Sequence, residues 1–92
     1  MAVQPRLDQD GTLTVFLAGR LDASCVADVD RALESARRLH QPVVLDLSRV
    51  RLIDRPTTQY LIDVMAHDVR LTNCPDHVER WIQREWLRTL ND

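Results

Sequence analysis

The chain has 92 residues, 45% apolar and 28% charged, with a formal net charge of -2 at pH 7. That length supports one domain, 1–92, and a chain this short buries only about 60–65% of its unfolded surface, which argues against a deep internal substrate cavity. The near-neutral charge argues against a nucleic-acid binder. No run approaches the ~18 apolar residues that cross a bilayer, and the first residues lack a secretion signal's layout. The expectation is a cytoplasmic protein with no direct membrane insertion.

Asp10-Gly11 is a strong hairpin-turn pair, because type I′ turns need positive φ at both central positions. The run Leu13 to Leu17 is rich in β-formers and reads as a strand. Val3 to Leu7 is a weaker partner across the turn, and Gly19 ends the strand. Cys25 to Leu39 forms the clearest helix, with Cys25, Val26, Val29, Ala32, Leu33, Ala36 and Leu39 on one stripe. Ser24 or Asp22 caps its start.

Val43 to Leu47 has the continuous apolar look of a central strand. From Arg49 to Asp54 the chain turns toward a second, brief helix. Asp54 or Arg55 caps it, Pro56 suits its first position, and Thr58, Leu61, Ile62 and Met65 share its inner face. Val69 to Asn73 alternates as a strand, and Pro75 opens a last helix through about Leu87. Strands joined through helices imply a mixed, largely parallel sheet of about four to five strands flanked by helices, an α/β fold.

Arg20-Leu21-Asp22 after Gly19, then Val43-Val44-Leu45-Asp46-Leu47-Ser48 with Val50 and Ile53-Asp54 following, resembles the STAS domain. That family, named for sulphate transporters and anti-sigma factor antagonists, carries G-x-L-D, an apolar strand ending D-L-S, and V-x-x-I-D. The resemblance covers roughly residues 10–87. It implies a protein-interaction module rather than an enzyme, acting in bacterial signalling and regulation of transcription. The implied partner is an anti-sigma factor, an ATPase-fold serine kinase. The alternative is a STAS structural subunit seated on the transporter ATPase of an ABC-type lipid transport complex. A second copy of the chain is carried as a further partner.

Antagonists of this family continue I-D with S-S-G-L, whose second serine is phosphorylated. Here Arg55, Pro56, Thr57 and Thr58 stand there, so proline replaces the phosphate acceptor and the second helix is shorter by about two turns. Thr57 and Thr58 are the substitute acceptors. Thr57, toward the edge of the inner face, reads as the more reachable. A phosphate at this helix start would meet free N–H donors and the positive end of the dipole, with Arg55 adding a charge-assisted contact. A plain helix start, with Asp54 as cap and Thr57 as filler, is the blander account. Asp22 reads both as a cap and, through the resemblance, as a partner contact.

Trp81 and Trp86 lie about 140° apart around the last helix, with Glu85 between them on the apolar stripe. One indole is then an exposed anchor for a partner, while Arg80, Arg84 and Arg88 form a ridge suited to an acidic one. A two-tryptophan core flank with a solvated arginine face is the competing account. His40, His67 and His77 stand apart, with no cysteine or carboxylate cluster, so no metal is expected. There is no phosphate-cradling glycine loop and no nucleophile elbow at Ser24 or Ser48, so neither cofactor nor catalytic residue is expected. A small enzyme or redox protein using Cys74 or Asp54 is the third hypothesis, because a helix N-terminus after Cys74 would lower its thiol pKa.

Overall fold

Period-two alternation sets one face of each strand toward the core, and here it builds a four-stranded sheet with three helices. The computed structural model describes residues 3–91. The order is β1 (Val3–Leu7), β2 (Leu13–Leu21), α1 (Ala23–Arg38), β3 (Val43–Ile53), α2 (Arg55–Met65), β4 (Val69–Thr72) and α3 (Asp76–Asn91). The strands lie in the order β1-β2-β3-β4. β1 is antiparallel to β2, and β2, β3 and β4 are mutually parallel.

The register sorts side chains into rows, because residues paired across strands share a face. On the helix side, Val15, Leu45 and Leu71 form one row and Leu13, Val43 and Val69 another, with Pro5 and Leu7 of edge strand β1 as their exposed ends. Val15, Leu21, Leu45 and Leu47 are fully buried there, joined by Cys25, Val29, Leu33 and Ala36 of α1, by Leu61, Ile62 and Val64 of α2 and by Val78 and Ile82 of α3. The helices therefore share one core on one side of the sheet: right-handed crossovers between adjacent parallel strands require this of α1 and α2, and α3, after the last strand, joins them through Val78 and Ile82. The alternate rows, Arg6-Thr14-Val44-Arg70 and Gln4-Phe16-Asp46-Thr72, point the other way.

Several local expectations are corrected. Asp10-Gly11 is not a two-residue type I′ turn: Gly11 alone has positive φ, and Asp8 N–H bonds Thr12 O (2.8 Å) across a wider loop. Gly19 does not end β2. Its left-handed backbone (φ 74°) falls at an irregularity where Gly19 pairs Val50 and Arg20 pairs Leu52, leaving Arg51 as the extra residue. Arg49 to Ile53 is the second half of β3 rather than a turn. Leu39 and Met65, assigned to apolar stripes, are 64% and 42% exposed; Leu39 is the C-cap of α1 and Met65 the last residue of α2, where the stripe gives out.

Asp46, the acid of the D-L-S motif, staples β3 to the β4–α3 junction. Its Oδ1 accepts from Ser48 N–H (2.9 Å) and hydroxyl (2.7 Å), and its Oδ2 accepts from Asn73 Nδ2 (2.9 Å). Burial alone would raise its pKa, but these hydrogen bonds and nearby Arg49 outweigh it and hold the carboxyl below its ordinary value.

Candidate functional site

Strands β2 and β3 end side by side, with Leu21 paired to Ile53, and each is followed at once by an aspartate that caps a helix. Asp22 accepts from Ser24 N–H (3.1 Å) and hydroxyl (2.6 Å), and the Ser24 hydroxyl chiefly holds its carboxyl below the usual range. Asp54 accepts from Thr57 N–H (2.9 Å), while its own N–H donates to Leu21 O (3.2 Å). That last bond ties the two helix starts together. Asp22, rather than Ser24, and Asp54, rather than Arg55, are the caps. Pro56 is the second residue of α2, still within the turn where a missing N–H leaves nothing unbonded.

The threonines are placed differently from the expectation. Thr57 and Thr58 are each 2% exposed, so Thr57 is no more reachable than Thr58. Thr58 Oγ1 donates to Asp54 O (2.9 Å). Thr57 Oγ1 is buried with no hydrogen-bond partner among the described residues. Helical geometry puts Thr57 on the flank near Tyr60, whose hydroxyl bonds Asp30 of α1, and Thr58 toward α3.

On that second flank α3 crosses beside the start of α2. Glu85, on the apolar stripe of α3, accepts from Gln59 Nε2 (2.6 Å) and pairs with Arg55 Nε (3.1 Å) and Arg88 Nη1 (3.4 Å). Burial would raise its pKa; Gln59, Arg55 and Arg88 together hold it below the usual value. A buried carboxylate needs such partners. The sequence puts Glu85 between two tryptophans without revealing which cation answers it.

Beside this junction opens a groove of about 320 Å³, lined by Ile53, Arg55, Thr58, Trp81, Arg84, Glu85 and Arg88. Three arginines thus surround one carboxylate at a helix N-terminus. Trp81 is half-buried against the core and edge-on to His77 (ring centroids 5.4 Å apart), whose Nε2 lies 3.0 Å from Arg51 O. Trp86 is 45% exposed and lies on another flank of α3. The structure therefore brings together Asp22, Asp54, Arg55, Pro56, Thr57 and Trp81 and leaves Trp86 apart. Of the arginine ridge, Arg84 and Arg88 reach the groove.

Neither thiol is activated. Burial, with Asp22 and Asp28 nearby, pushes Cys25 up to about 11. Burial and Glu79 raise Cys74, which corrects the expectation that the helix start would lower it. No cluster of metal-ligating side chains and no helix long and apolar enough to cross a membrane occurs among the described residues.

No protein-family model matches the chain, and no curated protein does. Among solved structures it is similar to the anti-sigma factor antagonist SpoIIAA in its unphosphorylated form, with a TM-score of 0.72 and 17% identity over 89% of this chain and 82% of that one. The likeness establishes a STAS-type fold.

Proposed function

We propose that this STAS-type domain works by binding, presenting the paired starts of α1 and α2 to an anti-sigma factor or a related ATPase-fold serine kinase, as an anti-sigma factor antagonist does. The observation that carries the reading is the hydrogen bond from Asp54 to Leu21, which holds two capped helix starts on one end of the sheet. The arginine-lined groove beside the start of α2 makes this end receptive to a partner's carboxylates. Asp22, Asp54, Arg55, Pro56 and Thr57 form its centre, Trp81 its floor beside α3, and Trp86 an outlying anchor.

Phosphorylation at Thr57 or Thr58 would require the first turn of α2 to open, since both are buried. We therefore take partner abundance, rather than modification, as the control. The same burial, with Pro56 at the acceptor position, favours a second reading: a constitutive structural subunit on the ATPase of a lipid-transport ABC complex.

Affinity capture from source cells separates the readings, run in parallel with an Asp22→Arg/Arg55→Glu variant. A kinase-like anti-sigma factor held by the native chain and lost by the variant supports the first. A transporter ATPase supports the second. A chain that retains neither, or a variant that retains the same partner equally, removes the proposed surface.

A further inference from the structure

The chain's charge is sorted by element. Of its twelve arginines and fourteen acids, the strands hold five arginines (Arg6, Arg20, Arg49, Arg51 and Arg70) and one acid, Asp46. A molecule of net charge -2 thus carries a basic sheet. The register puts Arg6 and Arg70 at the two edges of one outward row, and Arg49 and Arg20 on the outward rows beyond it, paired with Ala18 and Leu52. These four arginines make no ion pair among the described residues, whose salt bridges lie at Asp28 and Glu85. Asp46 forms no salt bridge with them, since its oxygens accept from Ser48 and Asn73, and its charge offsets only nearby Arg49 in part.

Apolar side chains stand among these charges. Phe16 is 38% exposed on this face, and Leu52 is 42% exposed. A hollow opens on each side of Phe16. One, of about 400 Å³, has Val3, Pro5 and Arg6 in its walls. The other, of about 380 Å³, has Ala18, Ser48 and Arg49. An aromatic ridge between two concavities, each holding one arginine, has the make-up of a protein interface, where aromatics and arginine are enriched. Single-stranded nucleic acid fits less well. It asks for successive aromatic platforms, and this face has one ring with the Asp46 carboxylate in its row.

We propose that the uncovered sheet face is a second docking surface, distinct from the helix starts, for an acidic protein segment whose carboxylates straddle Phe16 and reach Arg6 and Arg49. Arg70 and Arg20 extend the positive field toward either end and steer the approach.

The test is an NMR titration of the full ¹⁵N-labelled chain with a twelve-residue peptide of repeated Glu-Glu-Leu, a matched Gln-Gln-Leu peptide and the oligonucleotide dT12. The expected result is amide shifts centred on Arg6, Phe16 and Arg49, absent with the glutamine peptide and at least tenfold weaker at high salt. An Arg6→Glu/Arg49→Glu variant should bind at least tenfold more weakly, and Arg6→Gln/Arg49→Gln should show a similar loss if the reversed variant is unfolded. Shifts centred on Asp22 and Asp54, undiminished binding by a folded variant, no binding of the glutamate peptide, or tighter binding of dT12 would each overturn the proposal. Because these readouts lie on the sheet, their failure leaves the helix-start reading standing.

Discussion

The two faces of one sheet obey opposite rules. On the inner face Val15, Leu45 and Leu71 lie in a continuous apolar row under three helices; one residue along, Phe16, Asp46 and Thr72 face outward beside arginines that form no salt bridge among the described residues. A strand's alternation fixes which side chains share a face, but not whether a helix covers that face. Topology decides the latter, since adjacent parallel strands linked by right-handed crossovers place every connecting helix on one side. Stability should therefore reside in one face and recognition in the other, and substitutions can separate them.

The largest effect belongs to the inner face. Leu45→Ala empties a fully buried site in the central strand and should destabilise by about 3 kcal/mol. Urea unfolding measures it, and a loss below about 1 kcal/mol would mean that this row is not the core.

Next comes an outward residue with a structural task. Asp46→Ala removes an acceptor of three hydrogen bonds and should cost about 2 kcal/mol. Its folded pKa lies below the unfolded value, so its contribution is complete above about pH 4 and disappears as pH falls through the depressed folded value. Unfolding at pH 7 and pH 3 should accordingly show a smaller acid-induced loss in Asp46→Asn than in the native chain. Other acids with lowered pKa, such as Glu85, keep the loss from vanishing. An unchanged loss would break the link between this carboxylate and the fold.

How much of this is legible in the sequence follows from the same contrast. The inward rows of β2 and β3 can be read because Val15, Leu17, Leu45 and Leu47 alternate or cluster plainly. The far half of β3 cannot, since Arg49 and Arg51 look like turn residues and the irregularities near Ser48 and Arg51 break the period. A helical wheel places Thr58 and Leu61 inward correctly. It does not say how deep the helix start is set, and so it misjudges Thr57. It does not show where the helices end either, and so it misjudges Met65 and Leu39. The G-x-L-D and I-D motifs locate the ends of β2 and β3 and both caps, whereas D-L-S falls inside β3. The Arg55–Glu85 contact joins residues thirty positions apart in sequence, and only the packing of α3 on α2 brings them together.

A smaller effect tests that misjudged threonine. Thr57 keeps a buried hydroxyl without a hydrogen-bond partner among the described residues, which costs stability relative to an apolar group of the same shape. Thr57→Val should thus be neutral to stabilising, by up to about 1 kcal/mol. If unfolding shows it clearly destabilised, the hydroxyl has a partner in solution and the start of α2 is built differently.

The smallest effect is the sharpest test of the two-faced sheet. Arg70 is exposed on edge strand β4, makes no ion pair among the described residues, and has Val44 beside it in the outward row. Reversing its charge removes no packed surface and leaves no buried partner unpaired, so Arg70→Glu should change stability by no more than about 0.5 kcal/mol. The same reversal flips the sign of the field at one end of the open face, and association with an acidic peptide should slow, most visibly at low salt where steering is strongest. A stability loss near that of Leu45→Ala would mean the outer face is structural after all. An unaltered association rate in a variant of native stability would mean that Arg70 lies outside whatever this face binds.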